Sequence, residues 1–131
     1  MKRSLTTILM LGLVLTGSAN EVNKRIRFAK GASSATVTGN WHPDSQARGE
    51  TFDRYVLGAS KGQRVSVTLT ATAPGSLYCW QTDYNNGDLA SGSGKDASCS
   101  FKLPANGDFY VDVGPTGDAS AFDYKLTVSI L

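Results

Sequence analysis

A single histidine, His42, two cysteines, Cys79 and Cys99, and scattered carboxylates are the groups from which any reactive centre in this 131-residue chain must be built. They make a poor zinc set, because such sites draw three or four ligands from several His, Cys or carboxylate side chains. His42 stands in a His42-Pro43-Asp44 turn, a weak support for a general base that must be held within hydrogen-bond reach of a nucleophile. Ser91-Gly92-Ser93-Gly94 has no strand-to-helix context around it and does not make a nucleophile elbow. Asp108 and Asp112 share one side of a strand pattern, the spacing expected of a solvated outer face as well as of a carboxylate pair. The Asp83 to Asp88 loop carries oxygen ligands for weak calcium binding but no following Glu at the spacing of an EF-hand. The expectation is therefore a protein with no catalytic residue, no metal and no cofactor, acting by binding.

Binding needs large side chains and shaped loops. Trp41 and Trp80 stand next to loop-like stretches, and aromatics with a polar handle are common interface anchors. Trp41 shares a face with Val37, which associates it with the core at least as readily as with a partner. Trp80 shares a face with Tyr78, opposite Leu77, and its alternation leaves both readings open. The connection from Trp41 to Glu50 offers Trp41, His42, Arg48 and Glu50, and the connection from Pro115 to Ala119 offers Thr116 and Asp118. These are the candidate partner-binding residues. A second reading is a glycan- or cell-wall-binding module that uses Trp80, Tyr78 and Tyr84.

The elements that must position these loops read as strands. Residues 1–19 combine a basic Met1-Lys2-Arg3, an apolar stretch from Leu5 to Leu15 and small residues at Gly17-Ser18-Ala19. That is the pattern of a secretory signal peptide cut after Ala19, too short to span a membrane. Lys2 and Arg3 account for the formal charge of +2, so residues 20–131 hold 11 basic and 11 acidic groups. A neutral chain gives no electrostatic case for nucleic acid, and no later segment is apolar for long enough to insert in a membrane. Export also places Cys79 and Cys99 in an oxidising compartment, which predicts a structural disulfide between them.

Alternating apolar and polar residues then mark about eight short strands: 25–29, 34–41, 52–57, 63–71, 76–82, 98–103, 108–113 and 124–131. Lys61-Gly62, Pro74-Gly75 and Pro104 to Gly107 read as turns, and 83–96 as a long loop. The fold class is all-β: a single antiparallel β-sandwich, jelly-roll-like, spanning 20–131 and closed by one disulfide.

Three segments carry a resemblance. Arg25 to Gly39 (Arg-Ile-Arg-Phe-Ala-Lys-Gly-Ala-Ser-Ser-Ala-Thr-Val-Thr-Gly), Tyr55 to Val67 with its Gly62-Gln63 turn, and Phe101 to Val111 with Leu103-Pro104-Ala105-Asn106-Gly107 resemble, in this order, the bacterial periplasmic inhibitors of g-type lysozyme. The same strand-turn-strand pattern is similar to the β-sandwich domains that follow secreted bacterial peptidases. The resemblance implies a periplasmic protein whose rigid loops block the active-site cleft of a g-type lysozyme or related muramidase. It implies inhibitory loops with a Tyr after the second strand and two Arg before the last. Here the first loop offers Trp41, His42, Arg48 and Glu50 and the second Thr116 and Asp118, so no single inhibitory residue is carried over.

Overall fold

The computed structural model describes residues 23–43, 52–81, 88–116 and 121–131. The leader expected at 1–19 lies outside them. The described residues form seven strands: β1 (Asn23–Arg25), β2 (Ser34–Trp41), β3 (Asp53–Ala59), β4 (Arg64–Trp80), β5 (Asp88–Lys102), β6 (Gly107–Pro115) and β7 (Phe122–Ile130). Their hydrogen-bonded order is β1-β3-β6-β4-β7-β2, with β5 along β4.

The all-β class is as the alternation predicts, but two expected strands are one. The sequence reads Pro74-Gly75 as a turn, yet β4 runs through it. Up to Ala71 the strand pairs with β7, from Val65↔Ile130 to Ala71↔Tyr124. From Gly75 onward it pairs with β6, from Gly75↔Pro115 to Trp80↔Tyr110. Proline lacks the N–H that a ladder needs, so a strand accepts it where pairing is interrupted. Pro74 falls at such a place: the register with β5 breaks between Thr70 and Gly75. The punctuation in the sequence thus marks a bend and a change of neighbour, not an end.

The partner strand bends with it. Residues 88–96, expected as loop because of their Gly and Ser, are the first half of β5. Gly94 has φ +118°, a conformation that disfavours side chains, and a Cβ on Gly92 would lie 2.6 Å from the carbonyl oxygen of Ser98. Glycine lets the two halves of β5 approach at the bend. The pair β4/β5 is therefore a long hairpin folded across its middle, and the sheet curls with it.

Curling brings the inward faces together. Val65, Val67 and Leu69 from the first half of β4 and Leu126 and Val128 from β7 meet Leu77 from its second half, Leu57 from β3 and Phe109, Val111 and Val113 from β6. All of these are at most 1 % exposed. Two aromatic contacts cross between the halves: Phe101 meets Phe109 edge-on at 5.7 Å, and Tyr55 meets Tyr124 edge-on at 6.5 Å. Burying a large aliphatic or aromatic side chain contributes about 1.5–3 kcal/mol, so this set dominates the stability.

Two details differ from a purely antiparallel sandwich. β1 is only three residues long and runs parallel to β3, with Asn23↔Arg54 and Arg25↔Val56. The strand expected to run to Ala29 stops short: its last backbone bond to β3 is from the Ile26 N–H to the Val56 carbonyl at 3.0 Å, although Phe28 still packs against the core. Burial beyond the end of the ladder produces the same apolar spacing.

The disulfide is the second difference. Cys79 and Cys99 are both buried, and both are free thiols, 3.3 Å apart. A bonded pair stands at about 2.05 Å, so the fold juxtaposes the sulfurs but does not join them. Cys99 pairs with Val67 on one half of the hairpin, and Cys79 pairs with Ala90 on the other. Closeness is fixed by folding, whereas bond formation is a separate oxidation. The hydrogen bond between the thiols and burial push the Cys79 thiol well above its ordinary range.

Two measurements follow from this hinge. Gly92→Ala is expected to cost roughly 1–3 kcal/mol, because backbone must move to admit the methyl; denaturant unfolding that matches the parent chain would show that the bend has room to give. Oxidising the two thiols closes a loop worth about 3 kcal/mol, so the oxidised chain is expected to melt on the order of 10 °C higher than the reduced one. Equal melting temperatures under both conditions, with Cys79→Ser also silent, would show that the sulfurs never join.

Candidate functional site

Among the described residues two features are candidates for a functional site: one end of the curled sheet, and a cleft on its outer face beside that end. The end is built by the strand directions. β2 finishes at Trp41 opposite Phe122, the first residue of β7. β3 starts at Asp53 opposite Val113 of β6, which runs on to Pro115. The connections after Trp41 and after Pro115 thus leave from the same end, where the bend of β4 also lies: Thr116 Oγ1 donates to the carbonyl of Pro74 over 3.3 Å, and Thr72 bonds to the Asp123 backbone.

The stems of both connections are fixed from inside. Trp41 is 4 % exposed and stacks on Phe122 with centroids 5.6 Å apart. It anchors its loop from within the core. Tyr124 donates a 2.7 Å hydrogen bond to the Asp53 carboxylate, and the Tyr55 and Tyr124 hydroxyls meet at 2.5 Å. This chain of polar groups ties β7 to the start of β3. Burial raises the Tyr55 phenol to about 12 and pushes Tyr124 up as well, so both stay neutral and can donate.

Of the residues singled out for partner binding, His42 is half-buried and Thr116 exposed at this end. Arg48, Glu50 and Asp118 lie outside the described residues, as does Tyr84. The structure brings together the stems of the two loops that carry them, which are far apart in the chain.

The cleft lies on the outer face of the β3-β6-β4 region, has a volume of about 300 Å³ and is lined by Phe52, Arg54, Ser76, Tyr78, Trp80, Asp112, Gly114 and Pro115. Register explains the set. Arg54 is opposite Asp112, Tyr78 is opposite Asp112 on the other side, and Trp80 is opposite Tyr110. Arg54 donates from Nε to Asp112 Oδ1 at 2.8 Å and from Nη2 to Oδ2 at 3.2 Å, and Trp80 Nε1 donates to Oδ2 at 3.0 Å. Asp112 is 5 % exposed beneath these donors. Trp80 stacks on Tyr110 at 4.4 Å, and the Arg54 guanidinium lies 4.8 Å from the Trp80 ring and 4.6 Å from the Phe52 ring. Charge-assisted bonds and cation–π contact hold the walls rigid.

Asp108 and Asp112 do share the outer face, as their spacing predicts, but they are separately paired. Asp108 takes a 2.7 Å exposed ion pair from Arg25, while Asp112 is covered rather than solvated. Sequence reasoning placed Trp80 and Tyr78 on one face and missed Phe52, Arg54 and Tyr110. Alternation shows that Tyr110 and Asp112 point away from Val111, but only the register across β3, β6 and β4 puts Arg54 beside them. Among the described residues no group of three or more His, Cys, Asp or Glu side chains is arranged to hold a metal ion.

Neither a protein-family model nor a curated relative matches the chain. Solved structures do, at the level of the fold. The periplasmic inhibitor of g-type lysozyme from Aeromonas hydrophila is similar with a TM-score of 0.67 and 19 % identity, over 84 % of this chain and 96 % of that one. The inhibitor of the same name from Salmonella Typhimurium is similar with a TM-score of 0.63 and 22 % identity, over 85 % and 99 %. The pre-peptidase C-terminal domain of the Bacillus anthracis collagenase is similar with a TM-score of 0.56 and 16 % identity, over 83 % and 94 %. The fold is thus that of these small β-rich proteins, and the resemblance read from the sequence has its counterpart in three dimensions.

The packing of the cleft makes a prediction of its own. Asp112→Ala leaves the Arg54 guanidinium and the Trp80 N–H without their shared acceptor and is expected to cost roughly 1–3 kcal/mol. Denaturant unfolding followed by tryptophan fluorescence measures it; an unchanged midpoint would mean that water replaces the carboxylate at no cost.

Proposed function

We propose that this chain is exported to the periplasm and binds a g-type lysozyme or a related muramidase, obstructing that enzyme's active-site cleft with its loop end. The observation that carries this reading is the likeness of fold to the Aeromonas and Salmonella inhibitors over more than four-fifths of the chain. The convergence of the two connections at one end supports it. An inhibitor of this kind needs no reactive group. It needs loops on stems that lose little freedom on docking, since ordering loose segments is a large part of the cost of association. The Trp41–Phe122 stack and the Tyr55–Tyr124–Asp53 chain supply such stems. The candidate contacts are His42, Arg48 and Glu50 in the first connection and Thr116 and Asp118 in the second, with Trp41 as the anchor behind them.

The experiment is a lysis assay. A g-type lysozyme acting on peptidoglycan is expected to lose most of its activity when an equimolar amount of residues 20–131 is added at micromolar concentration. Undiminished lysis in the presence of excess chain would remove the proposal. Within it, Arg48→Ala is expected to weaken inhibition by about tenfold, the effect of an arginine anchor, while thermal stability stays close to that of the parent chain. Unaltered inhibition by this variant would take the first connection out of the contact surface.

A further inference from the structure

The cleft on the outer face lies beside the loop end but is built from different side chains, and its chemistry is specific. We propose that it is a binding site for a short neutral saccharide, independent of any lysozyme. Three observations point to that class of ligand. The first is charge: the floor consists of one guanidinium and one carboxylate bonded to each other, Arg54 and Asp112. A ligand with net charge meets no uncompensated opposite charge there, whereas a neutral array of hydroxyls finds both donors and acceptors. Arg54 engages Asp112 through Nε and Nη2, which leaves Nη1 outside the pair. Ser76 Oγ, whose proton goes to the Pro115 carbonyl at 3.3 Å, presents oxygen lone pairs to a donor.

The second observation is the walls. Phe52, Tyr78 and Trp80 line the cleft, and Tyr78 is the exposed large aromatic of this face at 39 %. A pyranose ring has one face of C–H groups carrying slight positive charge, which suits the negative face of an aromatic ring. Its hydroxyls lie around the edge, where the polar groups of the cleft are. An aliphatic ligand would leave Arg54 and Ser76 unmatched, and a metal ion would find Asp112 already saturated by nitrogen donors.

The third is rigidity and size. Trp80 is held by Asp112 and Tyr110, and Gly114 and Pro115 close one side without side chains that could rotate. A cleft of about 300 Å³ is at the small end of ligand sites, fit for a short saccharide and not for a protein surface.

Trp80 is also the reporter. The chain has two tryptophans, and Trp41 is buried, so a ligand in the cleft changes the emission of Trp80. Residues 20–131, with no lysozyme present, are titrated with cellotetraose, with tetra-N-acetylchitotetraose and, as an anionic comparison, with tetragalacturonate. A saturable change with at least one neutral tetrasaccharide and none with the anionic one is expected. Tyr78→Ala is expected to weaken that binding about tenfold at an unchanged melting temperature, and Tyr78→Phe, which keeps the ring, to retain it. No saturable response to either neutral sugar, a response to tetragalacturonate alone, or equal affinity in Tyr78→Ala would each overturn the proposal. Because lysis inhibition is measured separately, the failure of one reading leaves the other standing.

Discussion

Everything in this molecule is arranged around a strand whose two edges are used differently. β4 gives one edge to β5 over nearly its whole length and divides the other, first to β7 and then to β6. Backbone N–H and C=O groups in a core must be paired, and a seventeen-residue strand with only one short neighbour would leave half of its groups unmatched. Changing neighbour at Pro74-Gly75 satisfies both halves. It also forces the sheet to fold over, since β7 and β6 then lie on opposite sides of the core. The apolar residues of β4 point inward on both sides of the bend because the alternation keeps its parity from Val65 to Cys79.

From this bend the placement of both functional candidates follows. The turning point of β4 lies at the end where β2, β6 and their connections finish, so the loop end has a stiff floor. The second half of β4 delivers Ser76, Tyr78 and Trp80 to the outer face beside Asp112 and Arg54. A single strand thus supplies the inner wall of the core with one parity and the wall of the cleft with the other. The same bend sets Cys79 against Cys99, one from each side of the fold. Any bond between them would pin the two halves of the sheet to each other, one sulfur from each side of the bend.

The electrostatics of the outer face are local. Arg25 with Asp108 and Arg54 with Asp112 form two cross-strand pairs of opposite sign. The first is exposed and screened, and pairs of that kind contribute little. The second is covered by Trp80 and has three donors on one carboxylate, so it fixes geometry even where its net stabilisation is modest. This difference in burial, not in residue type, makes one pair a surface feature and the other the floor of a site.

The amino-acid order by itself determined the strand class and which residues of a strand share a face, because alternation with period two is a property of neighbouring residues; which of the aromatics is buried it left open. Val65-Ser66-Val67-Thr68-Leu69 and Phe109-Tyr110-Val111 could be oriented without knowing what they pack against. It also determined where backbone could turn, at Pro74-Gly75 and Gly92 to Gly94, but not whether the chain would reverse or bend there. Only the tertiary structure decided that, because a bend within a strand needs partners on both sides of it, and those partners, β6 and β7, come more than thirty residues later. The Arg54–Asp112–Trp80 cluster and the approach of Cys79 to Cys99 belong to the same class of fact. Each joins residues from different strands through register, and register is set by how the whole sheet buries its apolar faces, a sum over the entire chain that no local window contains.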